Sequence, residues 1–404
     1  MGEYSLTSAS NLFKIKYLKL SENTYNSANV MLARAKKSYK FVGSKQFVSV
    51  PLGFAGGVGS GTLPTAGVAK YEDALIEAKK VYGVCQVERE AIKASQSSEG
   101  AFVEMTKESV KKTVESWMRN YTRILFGTGD GSLGTGDNVT NVTGNGTVGT
   151  PYIVTISAAS WKEANWEEAD LVNVGAETTK LEVVVVAPAT KQISLVGASV
   201  ILAAAAAGPA ATNAIVYMQG SKDNDPIGFK GICDASSGSL YTIPVQRRWS
   251  AYQAASAGAG ITTDMLNQDC LEIQRRCGKS PKMIVMGYTQ FRKVLNLLED
   301  KKEYLIEPRS QDLKGKISFR GIEFLTDAGA VPLLVERFVD DDRVYYINDD
   351  MMEIHHRPDF GWFDDDGTVF LRKDGADSYE ARYGGYMQNY IVPSFQGVRT
   401  GLAT

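Results

Sequence analysis

Residues 38–61 read SYKFVGSKQFVSVPLGFAGGVGSG, and this stretch decides how the rest of the chain is read. An outgoing extended arm alternates around Tyr39, Phe41, Phe47, Val48 and Val50. It runs into a glycine-rich tip, Pro51 to Gly61. A return arm carries Tyr71 and then Val81, Tyr82, Val84, Cys85 and Val87. The pattern predicts a β ribbon over 38–90 with nothing of its own to pack on. A two-stranded ribbon is marginal in water, and a long exposed edge invites association. A copy of the same chain is the simplest cover, so the ribbon points to assembly rather than catalysis.

With 404 residues the chain has room for two or three domains with sizeable cores. A hydrophobic fraction of 44% and a charged fraction of 22% are those of an ordinary globular protein. The formal net charge of −2 lacks the basic excess of a dedicated DNA-binding domain, although one face can still be basic. Four cysteines, Cys85, Cys233, Cys270 and Cys277, include no C-x-x-C pair and read as reduced core thiols. The two histidines, His355 and His356, are adjacent; on a strand they point to opposite faces and do not share a ligand sphere. The first residues show neither a charged-then-apolar leader nor a myristoylation pattern. The uncharged stretch Ile193 to Ser221 is long enough to test as a membrane span. Its Gly197, Gly208, Pro209 and Asn213 favour strand, turn, strand instead.

Residues 1–37 read as an arm, with a short helix expected at Val30-Met31-Leu32. Val110, Val114, Trp117, Tyr121 and Ile124-Leu125 recur at three and four residues, which predicts an amphipathic helix from Ala101 to Phe126 stopped by Gly127. Gly127 to Gly149 is a loop by composition, and its three Asn-x-Thr sequons read as chance. Strands are expected at Tyr152–Ile156, Asp170–Val174, Leu181–Val186, Lys191–Val196 and Ala214–Met218, as in a small antiparallel barrel or sandwich. From Gly228 the pattern mixes α and β. Helices are predicted at Ile261–Cys277 and Tyr288–Leu298. Strands are predicted at Met283–Met286, Phe324-Leu325, Leu333–Val335, Val344–Ile347, Glu353–His356 and Val369–Arg372. An extended tail follows from Tyr379 to Val398, broken at Gly384-Gly385 and Pro393.

The candidate chemical motifs are weak. Gly53 to Gly61 lacks the Lys-Ser/Thr that a phosphate loop needs. Asp340–Asp342, Asp349-Asp350 and Asp364–Asp366 before Gly367 are carboxylate-rich enough for calcium, but no glutamate closes the loop, so solvated turns or intersubunit pairing explain them better. Asp359-Phe360-Gly361 matches a kinase tripeptide without its companions. Nothing assembles a nucleophile, a base and an oxyanion site, so no catalytic, cofactor-binding or metal residue is assigned and no enzyme activity is expected. Arg247-Arg248, Arg275-Arg276 and Lys301-Lys302 are small basic groups, each read as a surface site with nonspecific DNA contact as a second use.

The order of elements (arm, long ribbon, long helix, mixed domain, closing sheet) resembles the major capsid protein of tailed double-stranded DNA phages, the Hong Kong 97 fold. Residues 281–291, PKMIVMGYTQF, look like that family's strand-to-helix step in the axial domain. Ser318 to Phe324 and the end from Ala381 to Leu402, with Asn389 and Pro393, are similar to its later strands. The resemblance implies an α+β fold with six parts. These are an N-terminal arm (1–37), an extended loop (38–90), a peripheral domain with the spine helix (91–149), an inserted β-barrel-like domain (150–222), an axial domain (223–335), and a closing sheet with the last peripheral strand (336–404). The implied function is a structural one: self-assembly into hexamers and pentamers of an icosahedral head enclosing DNA. The implied partners are the chain itself, a separate scaffold, a portal, decoration proteins and packaged duplex DNA, with no cofactor and no membrane. The chain would reside in the virion, and in host cytoplasm during assembly. Some members crosslink Lys to Asn, but no local pattern here marks such a pair. The nearest alternative is an encapsulin-type compartment shell. An enzyme with a β accessory domain would need a pocket of converging polar groups, and an adhesin would use residues 150–222 on a monomer.

Overall fold

The computed structural model describes residues 36–38, 43, 45–53, 68–90, 99–133, 139–158, 161–207, 214–299, 322–326, 329–363 and 370–404. The expected helix at Val30–Leu32, the glycine tip from Phe54 to Gly61, Lys301-Lys302, Ser318 to Gly321 and Asp364 to Gly367 lie outside them. The chain forms two compact units: Met1–Ser44, Glu77–Gly228 and Ile354–Asn389 make the first, and Lys45–Ile76, Phe229–Glu353 and Tyr390–Thr404 the second.

β1 (Lys36–Ser38) is followed by β2 (Lys45–Gly53) and β3 (Lys70–Glu77), which pair into a two-stranded ribbon. The ribbon is shorter than expected. One residue after β3 the return arm starts a new strand, β4 (Lys79–Glu88), which belongs to a different sheet. The apolar run Val81, Cys85 and Val87 is therefore buried core and not ribbon. Local alternation continues through both strands, so periodicity does not mark the change of partner.

α1 (Glu99–Leu125) is the predicted long helix, about 40 Å at 1.5 Å per residue. It ends where expected, with Gly127 N–H donating to the Ile124 carbonyl at 2.9 Å. Its buried stripe of Trp117, Tyr121, Ile124 and Leu125 follows the three–four spacing that predicted it.

The β block is a six-stranded sheet of β5 (Val139–Thr143), β6 (Tyr152–Ile156), β7 (Leu171–Val174), β8 (Leu181–Ala187), β9 (Gln192–Val196) and β10 (Val216–Met218), ordered β10-β7-β8-β9-β6-β5. The pairings are antiparallel throughout. Val139 N–H donates to the Ala214 carbonyl at 3.1 Å, which brings the two ends of the sheet together as in a barrel. Inside, Tyr152, Val154, Ile156, Val172, Val183 and Leu195 make a core of their own. Two expectations fail here. The composition-defined loop contains β5, so the sequons at 138–143 fall largely on a strand. The uncharged stretch is strand, helix, strand: α2 (Val200–Ala207) lies between β9 and β10. Alanine is the best helix former, and the Ser199 hydroxyl caps the start by accepting from Leu202 N–H at 3.1 Å. No helix among the described residues is long and apolar enough to cross a membrane.

The second unit continues with α3 (Phe229–Cys233), the short pair β11 (Ser239–Leu240) and β12 (Ile243–Pro244), β13 (Tyr252–Ala255), α4 (Thr263–Cys277), β14 (Met283–Met286), α5 (Tyr288–Glu299), β15 (Ile322–Thr326), β16 (Gly329–Val335) and β17 (Val344–Ile347). β18 (Met352–Trp362), β19 (Leu371–Arg372), β20 (Ser378–Ile391) and β21 (Gly397–Thr400) complete the chain. A mixed sheet ordered β13-β21-β17-β14-β16-β15 carries α4 and α5 on a core that includes Leu266, Ile273, Ile284, Met286, Val344 and Tyr346. A second sheet runs β1-β18-β20-β19, with β4 also on β20.

β20 runs unbroken through Gly384-Gly385, against expectation, while Pro393 does end it. Gly384 sits at φ +146, and a Cβ there would lie 2.1 Å from the Val81 carbonyl oxygen. The glycine is what lets β4 and β20 approach, so it continues the strand rather than breaking it.

The mixed sheet is pinned by a buried charge. Asp269 on α4 is wholly buried. It accepts two hydrogen bonds from Arg399 on β21, each 2.6 Å, one from the Tyr346 hydroxyl at 2.7 Å and one from the Tyr252 hydroxyl at 3.1 Å. Burial, then the neighbouring carboxylate, pushes the Tyr252 phenol up to about 12. Arg399→Met leaves Asp269 charged and unmatched, and we expect a loss of about 3–5 kcal/mol in urea unfolding. The double replacement Arg399→Met with Asp269→Leu should recover most of it, since an apolar pair is often neutral in such a place.

Candidate assembly surfaces and the long-helix joint

The ribbon departs from ordinary surface composition. Along β2 exposure alternates, and Phe47 is 65% exposed. On β3, Tyr71 is 56% exposed, while Ala74 and Ile76 nearer the base are fully buried. The base is fixed: Leu75 N–H donates to the Tyr241 carbonyl at 2.9 Å, and the Thr242 hydroxyl reaches the Asp73 carbonyl at 3.3 Å. A ribbon anchored at one end and aromatic beyond it is built to be covered.

The β4–β20 sheet offers a second such surface. Odd residues of β4 turn toward α1, and even residues turn away. Tyr82 (42%), Val84 (40%) and Tyr386 (36%) are exposed on the far side. Tyr82 packs edge-on to Phe363 at 5.8 Å and to Tyr386 at 6.4 Å. Burial and the hydrogen bond to Tyr386 raise the Tyr82 phenol to about 12, so its hydroxyl stays protonated near neutrality, while the Lys80 ammonium lies 6.0 Å from the Tyr386 ring.

α1 is fastened to the same sheet by its aromatic stripe. Trp117 stacks on Tyr121 with centroids 5.5 Å apart and meets Tyr383 edge-on at 5.2 Å. Trp117 Nε1–H donates to the Val81 carbonyl at 3.2 Å. The Tyr121 hydroxyl donates to Asn389 Oδ1 at 2.6 Å, and Asn389 Nδ2 donates to the Ile227 carbonyl at 2.8 Å. Burial lifts the Tyr121 phenol above the ordinary tyrosine range.

One turn apart on α1, two arginines reach the β block and the segment that leaves it. Arg119 binds both oxygens of Asp170 at 2.7 and 2.9 Å and pairs with Glu167 at 2.8 Å. Arg123 binds Asp225 at 3.1 Å and is steadied by Asn120 at 3.0 Å. Gly228 lets the returning chain cross the end of the helix, since a Cβ there would stand 2.4 Å from the Ile124 carbonyl oxygen. Asp225 is buried and Asp170 is mostly withdrawn from water, and that desolvation raises both carboxyls despite the arginines. Sequence reasoning missed these pairs: the spacings from 119 to 170 and from 123 to 225 carry no local signal.

The sequence-derived motifs land in structural roles. Asp340 binds Lys230 at 2.8 Å and Arg343 at 3.1 Å, and Arg343 also holds Asp234 at 2.9 Å. Asp349 and Asp350 pair with Lys282. Asp340, Asp342, Asp349 and Asp350 therefore pair with cations within the chain. Among the described residues no group of three or more His, Cys, Asp or Glu is placed to hold a metal. His355 and His356 are both buried on β18, which also carries Asp359-Phe360-Gly361. The cysteines are free thiols; burial raises Cys233, and raises Cys270 to about 12.

No family model matches the chain, and no curated protein matches it. Among solved structures it is similar to a capsid protein of cyanophage A-1(L), at 8% identity and TM-score 0.57, covering 96% of this chain and 97% of that one. It is also similar to the encapsulin complex of Synechococcus elongatus PCC 7942 (8% identity, TM-score 0.48, 98% and 96% covered) and to a chain of Mycobacterium phage Bobi (9%, 0.44, 99% and 99%). The cyanophage likeness shows a shared fold over nearly the whole of both chains: the protein has a mixed α/β fold like that of the cyanophage capsid chain. At 0.48 and 0.44 the other two carry no weight in that assignment.

Because burial holds the Asp225 carboxyl above its unfolded value, its protonation favours the folded state, and that contribution fades as pH rises through the folded pKa. Arg123→Met removes the charge that opposes this rise. We expect the variant to lose about 3–5 kcal/mol at neutral pH, measured by urea unfolding. The deficit should shrink as the pH is lowered and the raised Asp225 carboxyl becomes neutral. A deficit independent of pH would place the loss in packing instead.

Proposed function

We propose that this chain is the structural major capsid protein of a tailed phage, self-assembling into hexamers and pentamers of an icosahedral head around double-stranded DNA. The observation that carries this is the anchored ribbon with exposed Phe47 and Tyr71, in a chain that shares its fold end to end with a phage capsid protein. In this reading the fold is of the Hong Kong 97 type. Within 38–90 the β2–β3 ribbon is the extended loop while β4 belongs to the β20 sheet, α1 is the spine helix of the peripheral part, and the β block within 150–222 is an inserted domain. Residues 223–335 are the axial domain, and 336–404 close the sheet. The ribbon lies on a neighbouring copy, where burying two aromatic side chains contributes about 1.5–3 kcal/mol each. The remaining partners are a separate scaffold, a portal and decoration proteins. The chemistry is entirely that of contact surfaces, without catalysis, metal or cofactor, and the protein resides in the virion after assembly in host cytoplasm.

The test is negative-stain electron microscopy with analytical sedimentation of the full chain expressed alone. Closed particles, tubes or capsomer rings are expected. Phe47→Asp with Tyr71→Asp should shift the population to smaller species while the melting curve stays near that of the parent. A monomer at every concentration and salt, with the ribbon cut readily by protease, overturns the proposal. Particles that hold protein cargo and no nucleic acid point instead to an encapsulin-type shell.

A further inference from the structure

Two basic groups that lie far apart in sequence meet on one face of the second unit. Arg247-Arg248 precede Trp249, whose ring is fully buried and whose Nε1–H donates to the Leu240 carbonyl at 3.0 Å. That anchor fixes the loop and leaves Arg247 and Arg248 exposed. Arg275, Arg276 and Lys279 lie at and just past the C-terminal end of α4, where cations are favoured by the helix dipole. Direct contacts join the two groups. Arg276 donates to the Ser250 hydroxyl at 3.2 Å and to the Ala251 carbonyl at 3.1 Å. The Ser394 hydroxyl donates to the Arg248 carbonyl, and the neighbouring Phe395 ring sits 5.6 Å beneath the Lys279 ammonium.

The charge balance of this face differs from that of the chain. It carries Arg247, Arg248, Arg275, Arg276, Lys279 and Lys282, and the carboxylates that pair with these cations among the described residues are Glu272, Asp349 and Asp350. Arg275 is taken up by Glu272 at 2.7 Å, and Lys282 by Asp349 and Asp350. Among the described residues, Arg247, Arg248, Arg276 and Lys279 then have no carboxylate partner. Three of the four are guanidinium groups, whose forked donors match phosphate oxygens. Two are held in place: Arg276 by backbone and hydroxyl oxygens, Lys279 over a ring. Little side-chain freedom remains to be lost at those two when an anion arrives.

We propose that this face binds the phosphate backbone of duplex DNA without reading its sequence, and that in the assembled shell it lines the interior. The placement in the shell rests on the capsid reading; the DNA contact does not. Four unpaired cations in a chain of net charge −2 give a local surface suited to a polyanion of regular charge spacing. An acidic protein segment is the competing occupant, and the experiment separates the two.

The full chain is titrated against a fluorescently labelled duplex of about 30 base pairs over a range of salt, and anisotropy is read. Binding should weaken with salt, with the slope of log K against log salt falling by about 0.9 for each phosphate contact removed. Arg247→Gln with Arg248→Gln should weaken binding at least about tenfold at low salt and flatten the slope by nearly 2. Arg247→Lys with Arg248→Lys should keep most of the binding, since a phosphate accepts a point charge. Arg275→Gln, which removes a cation already paired, should change the slope little. Unchanged binding in the double Gln variant, or no binding by the parent at low salt, overturns the proposal. So does poly-glutamate of matched charge displacing the duplex at equal concentration. Electron microscopy of the same variants reads assembly separately. Shells that form normally but fail to retain nucleic acid place the face inside, and absence of shells from the parent would overturn the capsid reading while leaving the titration to decide DNA contact.

Discussion

The first unit depends on the contact between the aromatic stripe of α1 and the β4–β20 sheet. Trp117 and Tyr121 do more there than bury apolar area. Each carries one polar atom to a backbone or amide partner, Trp117 to Val81 and Tyr121 through Asn389 to Ile227. The stripe therefore fixes the rotation of the helix as well as its closeness to the sheet. Once α1 is fixed, Arg119 and Arg123 are aimed from the same helix at Asp170 and Asp225, and the β block is held by the segments it enters and leaves through. A helix of 27 residues is far longer than one small sheet needs. Its length makes sense as a strut that carries the sheet at one turn and the β block at another.

Charge and apolar surface are distributed against the usual pattern. Asp269 with Arg399, Arg119 with Asp170, Arg123 with Asp225 and Lys230 with Asp340 are largely withdrawn from water. Phe47, Tyr71, Tyr82 and Tyr386 are left in it. Buried pairs contribute little net stability, because desolvation offsets attraction, but losing one member is costly. They act as joints with a fixed geometry rather than as a source of folding energy. Exposed aromatics do the reverse. They add little to the single chain and wait for a surface that removes them from water. Under the capsid reading proposed above, that arrangement suits a subunit whose exposed aromatics are covered by a neighbour.

Most elements were legible in the sequence, because they are set by spacing that a local window can see. The three–four recurrence from Trp117 to Leu125 gives α1; the sequence offers Thr262 or Thr263 as the cap of α4, and the Thr262 hydroxyl is the one that accepts from Met265 N–H, at 3.2 Å. The errors have one physical origin, which is partner choice. The return arm looks uniform from Tyr71 to Val87, yet its first half pairs with β2 and its second with β20, nearly 300 residues away. Gly384-Gly385 looked like a break because glycine is read locally as a turn signal; the crowding against Val81 that requires it exists only once the strands are paired. Ala203 to Ala207 was misread for another reason: flanking glycine and proline outweighed an alanine propensity that the Ser199 cap then secured. The arginine–aspartate joints had no signature at all, since an ion pair across fifty or a hundred residues leaves no period.

The base of the ribbon is a junction as well as an anchor. Its base is tied by Leu75 to the carbonyl of Tyr241, and Tyr241 in turn packs against Tyr390 at 5.6 Å and accepts, at its hydroxyl oxygen, the N–H of Ile391 at 3.2 Å. The β11–β12 turn thus serves two masters, the ribbon and the end of β20. A ribbon rooted in such a junction can transmit the load of whatever covers its aromatic face directly into buried structure. Rooting costs a strained backbone: Tyr241 and Thr242 both sit at positive φ, 52° and 71°. Non-glycine residues persist there only where surrounding contacts over-determine them. The strain lies at the ribbon's root and not on its exposed aromatic stretch, which is where a subunit that must hold a neighbour needs its rigidity.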